Sequence, residues 1–159
     1  MQKKYSREIP NKVERTGGKF VLNYHLQKTT EEEILSLWES EHYGMEEDYG
    51  QPDDYFKEEH KYNFNQVIVP MGKWKYDEVV SAIIRDKYRE DEMEAITNNL
   101  AAVNAMFFQT LVSEGMVSAI QYLKDSYNSE DTERFKEMQE WRTLAKSVAK
   151  SIFKNGYNI

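Results

Sequence analysis

The chain has 159 residues, 40% of them hydrophobic and 31% charged, with a formal net charge of −7; that is enough for one domain with a real core and hardly enough for two. It contains no cysteine, which excludes disulfide stapling, thiolate metal sites and cysteine nucleophiles. No apolar run approaches the roughly 20 residues that span a bilayer, and the opening MQKKYSREIPNK has no apolar segment behind its positive charge, so it does not read as a secretory signal.

The charge is unevenly placed. Glu39–His60 holds nine acids and one lysine, whereas the rest of the chain carries 19 acids and 20 bases. One segment therefore supplies the whole net charge, which argues against a nucleic-acid-binding surface. Aromatic residues make up 13% of the chain, 11 of them tyrosines, a richer content than disordered chains carry.

Residues 1–18 are polar and broken by Pro10 and Gly17-Gly18, the pattern of an extended arm ending in a turn. From Lys19 to Gln27, Phe20, Leu22, Tyr24 and Leu26 alternate with Val21, Asn23 and His25, which predicts a half-buried strand. Thr29-Thr30 followed by Glu31, Glu32 and Glu33 marks a helix start. Ile34, Leu35, Leu37 and Trp38 give that short helix an apolar face, and it should fail near Tyr43-Gly44. The acidic stretch 39–60 reads as an irregular loop. Residues 61–69 form a second strand, most simply antiparallel to the first; an isolated pair is marginal, so it must pack on helices or join a larger sheet.

Val67-Ile68-Val69 stops at Pro70, and a turn leads into a strongly periodic helix over 76–88, with Tyr76, Val79, Val80, Ile83 and Ile84 on one face. Asp77 and Glu78 sit in its first turn, where the helix dipole favours acids; that role outweighs a reading as paired catalytic carboxylates. A second helix is expected over 90–124. Met93, Ile96, Leu100, Val103, Phe107 and Leu111 step by threes and fours, a near-heptad seam. Ala101, Ala102, Ala105, Met106 and Phe108 widen the apolar surface to most of the circumference, so this helix wants a central place or an oligomeric partner. Asn98-Asn99 is a candidate bend and Gly115 a candidate break. The last helix, 129–154, begins with a cap at Asn128 or Ser129, buries Phe135, Met138, Trp141, Ala145, Val148 and Ile152, and stops at Asn155-Gly156. The fold class is α+β: an arm and a β-hairpin (19–27 with 61–69) packed on a C-terminal bundle of three to four helices (76–88, 90–124, 129–154). Residues 1–18 are the arm and 19–159 one domain.

No phosphate loop, nucleophile elbow or zinc motif is present, and no catalytic residue or cofactor is assigned. His25, His42 and His60 lack a ligand spacing. Asp53-Asp54 with Glu58-Glu59-His60 has the residue types for a hard cation, but a solvated acidic loop is the simpler reading and no metal site is assigned. The same segment interleaves acids with Trp38, Tyr43, Tyr49, Tyr55 and Phe56; large aromatics suit binding surfaces, so these, with Phe107 and Phe108, are the interaction candidates. The competing reading tucks them back on the hairpin. Arg142, Lys146, Lys150 and Lys154 recur every four residues along one edge of the last helix, a solvated face or the counterpart of an acidic loop in another copy. Pro70, Gly72, Trp74 and Tyr76 are the structural turn.

Those turn residues also carry a resemblance. VIVPMGKWKYDEVVSAIIRDKYREDEMEAITNN, residues 67–99, is similar to small virion-associated proteins of phages and prophages of Bacteroides-type gut bacteria, crAss-like phages included. Their pattern is a strand, Pro-x-Gly-x-Trp-x-Tyr, then a helix of the form D-x-[IV]-V-S-A-[IL]-[IV]-R; MQEWRTLAKSVAKSIF at 138–153 resembles their closing helix. Leu100–Tyr127 and the acidic loop depart from that pattern as elaborations. The resemblance implies a non-enzymatic structural or accessory protein of the virion, a head-fibre, collar or tail component. Such a protein would be made in the host cytoplasm and would dock through its arm and helical surface onto other virion proteins or copies of itself, without nucleic acid, membrane or cofactor. The alternative is a soluble acidic protein binding a basic host partner through 39–60.

Overall fold

The computed structural model describes residues 3–44, 50–127 and 130–154. It is α+β: a four-stranded antiparallel sheet near the N-terminus and, among the described residues, six α-helices, the last four forming a C-terminal helical region. The chain divides into two compact units, Met1–Trp74 and Lys75–Ile159.

The first unit opens with two short strands, β1 (Lys4–Ser6) and β2 (Val13–Thr16), then the long β3 (Lys19–Lys28). Helices α1 (Glu31–Glu41) and α2 (Asp54–Glu59) precede β4 (Tyr62–Pro70). The sheet order is β1-β4-β3-β2. The expected hairpin is its centre: Phe20 pairs with Val69, Leu22 with Val67 and Tyr24 with Asn65, and all six are buried. Burying an apolar side chain of this size is worth about 1.5–3 kcal/mol, so this face anchors the unit. Across the sheet, Gln66 donates its amide to Asn23 Oδ1 at 3.0 Å, and Ile68 is exposed. A bulge between Tyr24 and Gln27 ends the alternation; His25 takes a positive φ of 54° there and Leu26 turns outward.

The segment read as an arm supplies the two edge strands instead. β1 pairs with β4 and β2 with β3. The sequence KYS and VERT carries no apolar alternation because an edge strand faces water on one side, and polar residues there protect it from pairing with other chains. Gly17 and Gly18, at φ 52° and 78°, join β2 to β3 through the left-handed turn that a two-residue hairpin requires.

The acidic stretch is not irregular throughout. Asp53 caps α2, accepting a 2.7 Å hydrogen bond from the Phe56 amide, and Phe56 is buried. After β4 a single 3₁₀ turn, Met71–Lys73, contains Gly72 and follows Pro70. The Met71 amide donates to the Gly18 carbonyl at 3.0 Å, and Trp74 stacks on Phe20 with ring centres 4.2 Å apart.

The second unit comprises α3 (Tyr76–Lys87), α4 (Glu90–Glu114), α5 (Met116–Tyr127) and α6 (Glu130–Lys154). Val79 and Ile83 of α3 are buried with Met138, Trp141, Ala145, Ala149 and Ile152 of α6; Phe135 and Val148, also expected in that stripe, are only half-buried. Trp141 donates its indole N–H to the Ile83 carbonyl at 3.0 Å, and Lys87 Nζ lies 4.8 Å from the Trp141 ring centre. Tyr76 meets Phe153 edge-on. The helix expected over 90–124 is two helices. α4 runs straight through Asn98-Asn99 and ends at Gly115, whose φ of 89° is open to glycine and strained for other residues. The expected caps at Asn128 or Ser129 and the stop at Asn155-Gly156 lie outside the described residues.

Candidate interaction surfaces

In the first unit α1 and α2 each begin with a side-chain cap, Thr30 and Asp53. Each closes on a histidine. His42 Nδ1 lies 2.8 Å from the Trp38 carbonyl and His60 Nδ1 2.9 Å from the Phe56 carbonyl; a carbonyl only accepts, so Nδ1 carries the proton in both rings. These caps place five rings in a row. His42 lies 4.0 Å from Trp38, Trp38 is edge-on to Phe56 at 4.9 Å, Phe56 stacks on His60 at 4.1 Å, and His60 reaches Tyr5 at 5.4 Å. The Trp38 indole N–H donates to the Gly50 carbonyl. Thus Trp38 and Phe56 tuck inward and bind this unit's own elements together, whereas Tyr43 and Tyr55 are exposed. Tyr49 lies outside the described residues.

Glu33 joins the same region. Its Oε1 accepts from Lys3 Nζ at 2.7 Å and from the Tyr5 hydroxyl at 3.1 Å, and its Oε2 from the buried Asn63 amide at 2.9 Å. One carboxylate therefore ties α1 to β1 and β4. Burial, then the hydrogen bond and charge of Glu33, push the Tyr5 hydroxyl up to about 12. A cleft of about 370 Å³ lies beside α1, with Ile34 and Leu35 on one side and Pro52 and Lys57 on another. Asp53, Asp54, Glu58, Glu59 and His60 are committed to or flank α2, and among the described residues no three acids or histidines gather as metal ligands.

In the second unit, α5 folds back along α4. Leu123 and Ser126 share a cleft of about 440 Å³ with Leu100, Val103 and Phe135 of α4 and α6. The near-heptad seam of α4 faces inward: Leu100, Val103, Phe107 and Leu111 are half-buried and Ile96 is buried. An adjoining side carries large apolar residues into solvent, with Phe108 63% and Val112 88% exposed. On α5, where Ala119 is buried, Met116 and Val117 are 67% and 84% exposed and Ile120 is exposed. Phe108 was within reach of sequence reading; Val112, Met116, Val117 and Ile120 were not assigned. Their signal was a second periodicity displaced by one residue from the inward seam. On α6, Arg142 is half-buried near Met93, and Lys146, Lys150 and Lys154 are exposed. Among the described residues no helix is long and apolar enough to cross a membrane.

No known protein family, curated protein or solved structure matches the chain significantly.

Proposed function

We propose that the chain is a non-enzymatic structural or accessory component of a phage virion, a head-fibre, collar or tail component, that docks onto neighbouring proteins through its C-terminal helical region. The observation that supports docking is the exposure of five large apolar side chains on two consecutive helices, Phe108 and Val112 of α4 and Met116, Val117 and Ile120 of α5. Soluble monomers rarely leave such side chains grouped in water, and grouped exposure marks interaction sites. The resemblance of residues 67–99 and 138–153 to phage proteins supports the setting. Residues 4–6 and 13–16 of the segment read as an arm are hydrogen-bonded into the sheet as its edge strands, so docking through that segment would use an edge of the sheet.

Mass spectrometry of particles purified from the phage or induced prophage that carries the gene tests it. The chain should be present at a fixed copy number per particle, and V117D should lower that number at least tenfold while leaving the helical circular dichroism intact. Particles devoid of the chain overturn the virion assignment. Undiminished incorporation of V117D overturns docking through α5.

A second reading rests on Tyr43 and Tyr55, which stand exposed in the acidic segment: a soluble acidic protein that binds a basic host partner. Neutralising Asp54, Glu58 and Glu59 should then abolish binding to a basic partner at low salt.

A further inference from the structure

The outward side of α4 has its own order. Ala101, Ala105, Phe108 and Val112 are all exposed and follow one another at intervals of four, three and four residues. That is the spacing of a coiled-coil seam, and it lies roughly a third of a turn round the helix from Leu100, Val103, Phe107 and Leu111. From Ala95 to Ser113 the helix carries no charged residue, in a chain that is 31% charged.

We propose that this seam is the docking site for a second copy of the chain, with the two α4 helices antiparallel. The inference rests on the reading of the helical region as a docking surface and names one of its partners. Two features select a second copy. A two-fold contact sets the same patch against itself, so like charges would repel across it; the charge-free run removes that repulsion from a chain with a net charge of −7. A charged partner, by contrast, finds nothing to pair with along this side.

The second feature is size. When Ala105 of one helix lies opposite Phe108 of the other, Ala101 falls opposite Val112. Each large side chain then meets a small one, the condition for knobs to fill holes. A parallel pair would set Phe108 against Phe108 and alanine against alanine, a clash beside a void. The seam is complementary to itself in one direction only. A single helix pair is small among specific interfaces, so the association belongs in the micromolar range.

The absence of cysteine makes a direct test possible. A101C and V112C are surface changes that leave the inward seam untouched. In the antiparallel pair, residue 101 faces residue 112 of the other copy, while the two copies of residue 101 are about 16 Å apart at a rise of about 1.5 Å per residue. A disulfide needs Cα atoms within about 7 Å. Mild oxidation of the two variants mixed at high micromolar concentration should give a covalent dimer, and either variant alone should give none. A dimer from A101C alone means a parallel or non-specific encounter and overturns the register. No dimer from the mixture, with a monomer in sedimentation at the same concentration, overturns self-docking. Neither result touches the V117D test, which reads the face of α5.

Discussion

Phe107 and Phe108 are chain neighbours with ring centres 5.4 Å apart, yet they differ sharply in their exposure. Phe107 is half-buried and Phe108 is 63% exposed. A helix turns about 100° per residue, so adjacent positions in a broad apolar run divide between core and surface. Phe107→Ala should therefore lower unfolding stability by about 2–3 kcal/mol, somewhat under the cost of deleting a fully buried aromatic ring. Phe108→Ala should change it by less than about 0.5 kcal/mol. Urea denaturation at a concentration low enough to keep the chain monomeric separates the two. Equal losses would mean that Phe108 belongs to the core.

Trp141 fixes α6 against α3 with a buried polar bond as well as with its area. Its indole N–H reaches the Ile83 carbonyl at 3.0 Å, and both residues are buried. Trp141→Phe keeps an aromatic ring but removes the donor and part of the volume. It should cost about 2–4 kcal/mol, the sum of a lost hydrogen bond and a partly filled cavity. The midpoint of thermal unfolding reports it, and a loss below 0.5 kcal/mol would mean that the neighbouring side chains close the gap.

The elements that were legible in the sequence are those whose burial imposes a period. β3 and β4 alternate because one face of each lies in the core, and α3 and α6 repeat every three or four residues because one stripe does. Phe20, Leu22, Val79, Ile83 and Trp141 could be assigned in this way. β1, β2 and α2 are held by other means. Lys4–Ser6 and Val13–Thr16 depend on backbone pairing with strands already in place, and such bonds leave no mark on side-chain pattern. α2 depends on the Asp53 cap and on Phe56 finding its ring partners, a tertiary effect on a six-residue segment. The apolar breadth of α4 was visible, but which arc faced water depended on where Gly115 turned the chain back.

Glu33 shows the same gap in reading. In the sequence it is one of three acids at a helix start; in the fold it accepts hydrogen bonds from three separate residues, Lys3, Tyr5 and Asn63. Glu33→Ala strands the Asn63 amide, which is 2% exposed, and an unpaired buried donor costs about 1–3 kcal/mol. Glu33→Gln keeps an oxygen for Asn63 and should lose about half as much. A double-mutant cycle with Asn63→Ala checks the cause: the two single losses should not add, and strict additivity would mean that the bond contributes nothing.

The Tyr5 hydroxyl ties this cluster to alkaline pH. Burial raises its titration first, and the hydrogen bond and charge of Glu33 raise it further, from 10.0 to about 12. The folded state therefore holds the phenolic proton where the unfolded chain has released it. Stability rises with pH only where the unfolded state binds more protons; here it binds fewer between pH 10 and 12, so stability falls as pH rises. The contribution is whole below pH 10 and lost as pH passes through about 12. Unfolding measured from pH 9 to 12 for the natural chain and for Tyr5→Phe should show a stability difference that is flat at the lower end and shrinks through the window; subtraction removes the titrations common to both. In Glu33→Gln the carboxylate charge is gone, so the decline should still begin near pH 10, where the unfolded chain titrates, but be smaller and end at lower pH. A difference that stays constant to pH 12 would show that Tyr5 titrates alike in the folded and unfolded chains, and that Glu33 holds it through geometry alone.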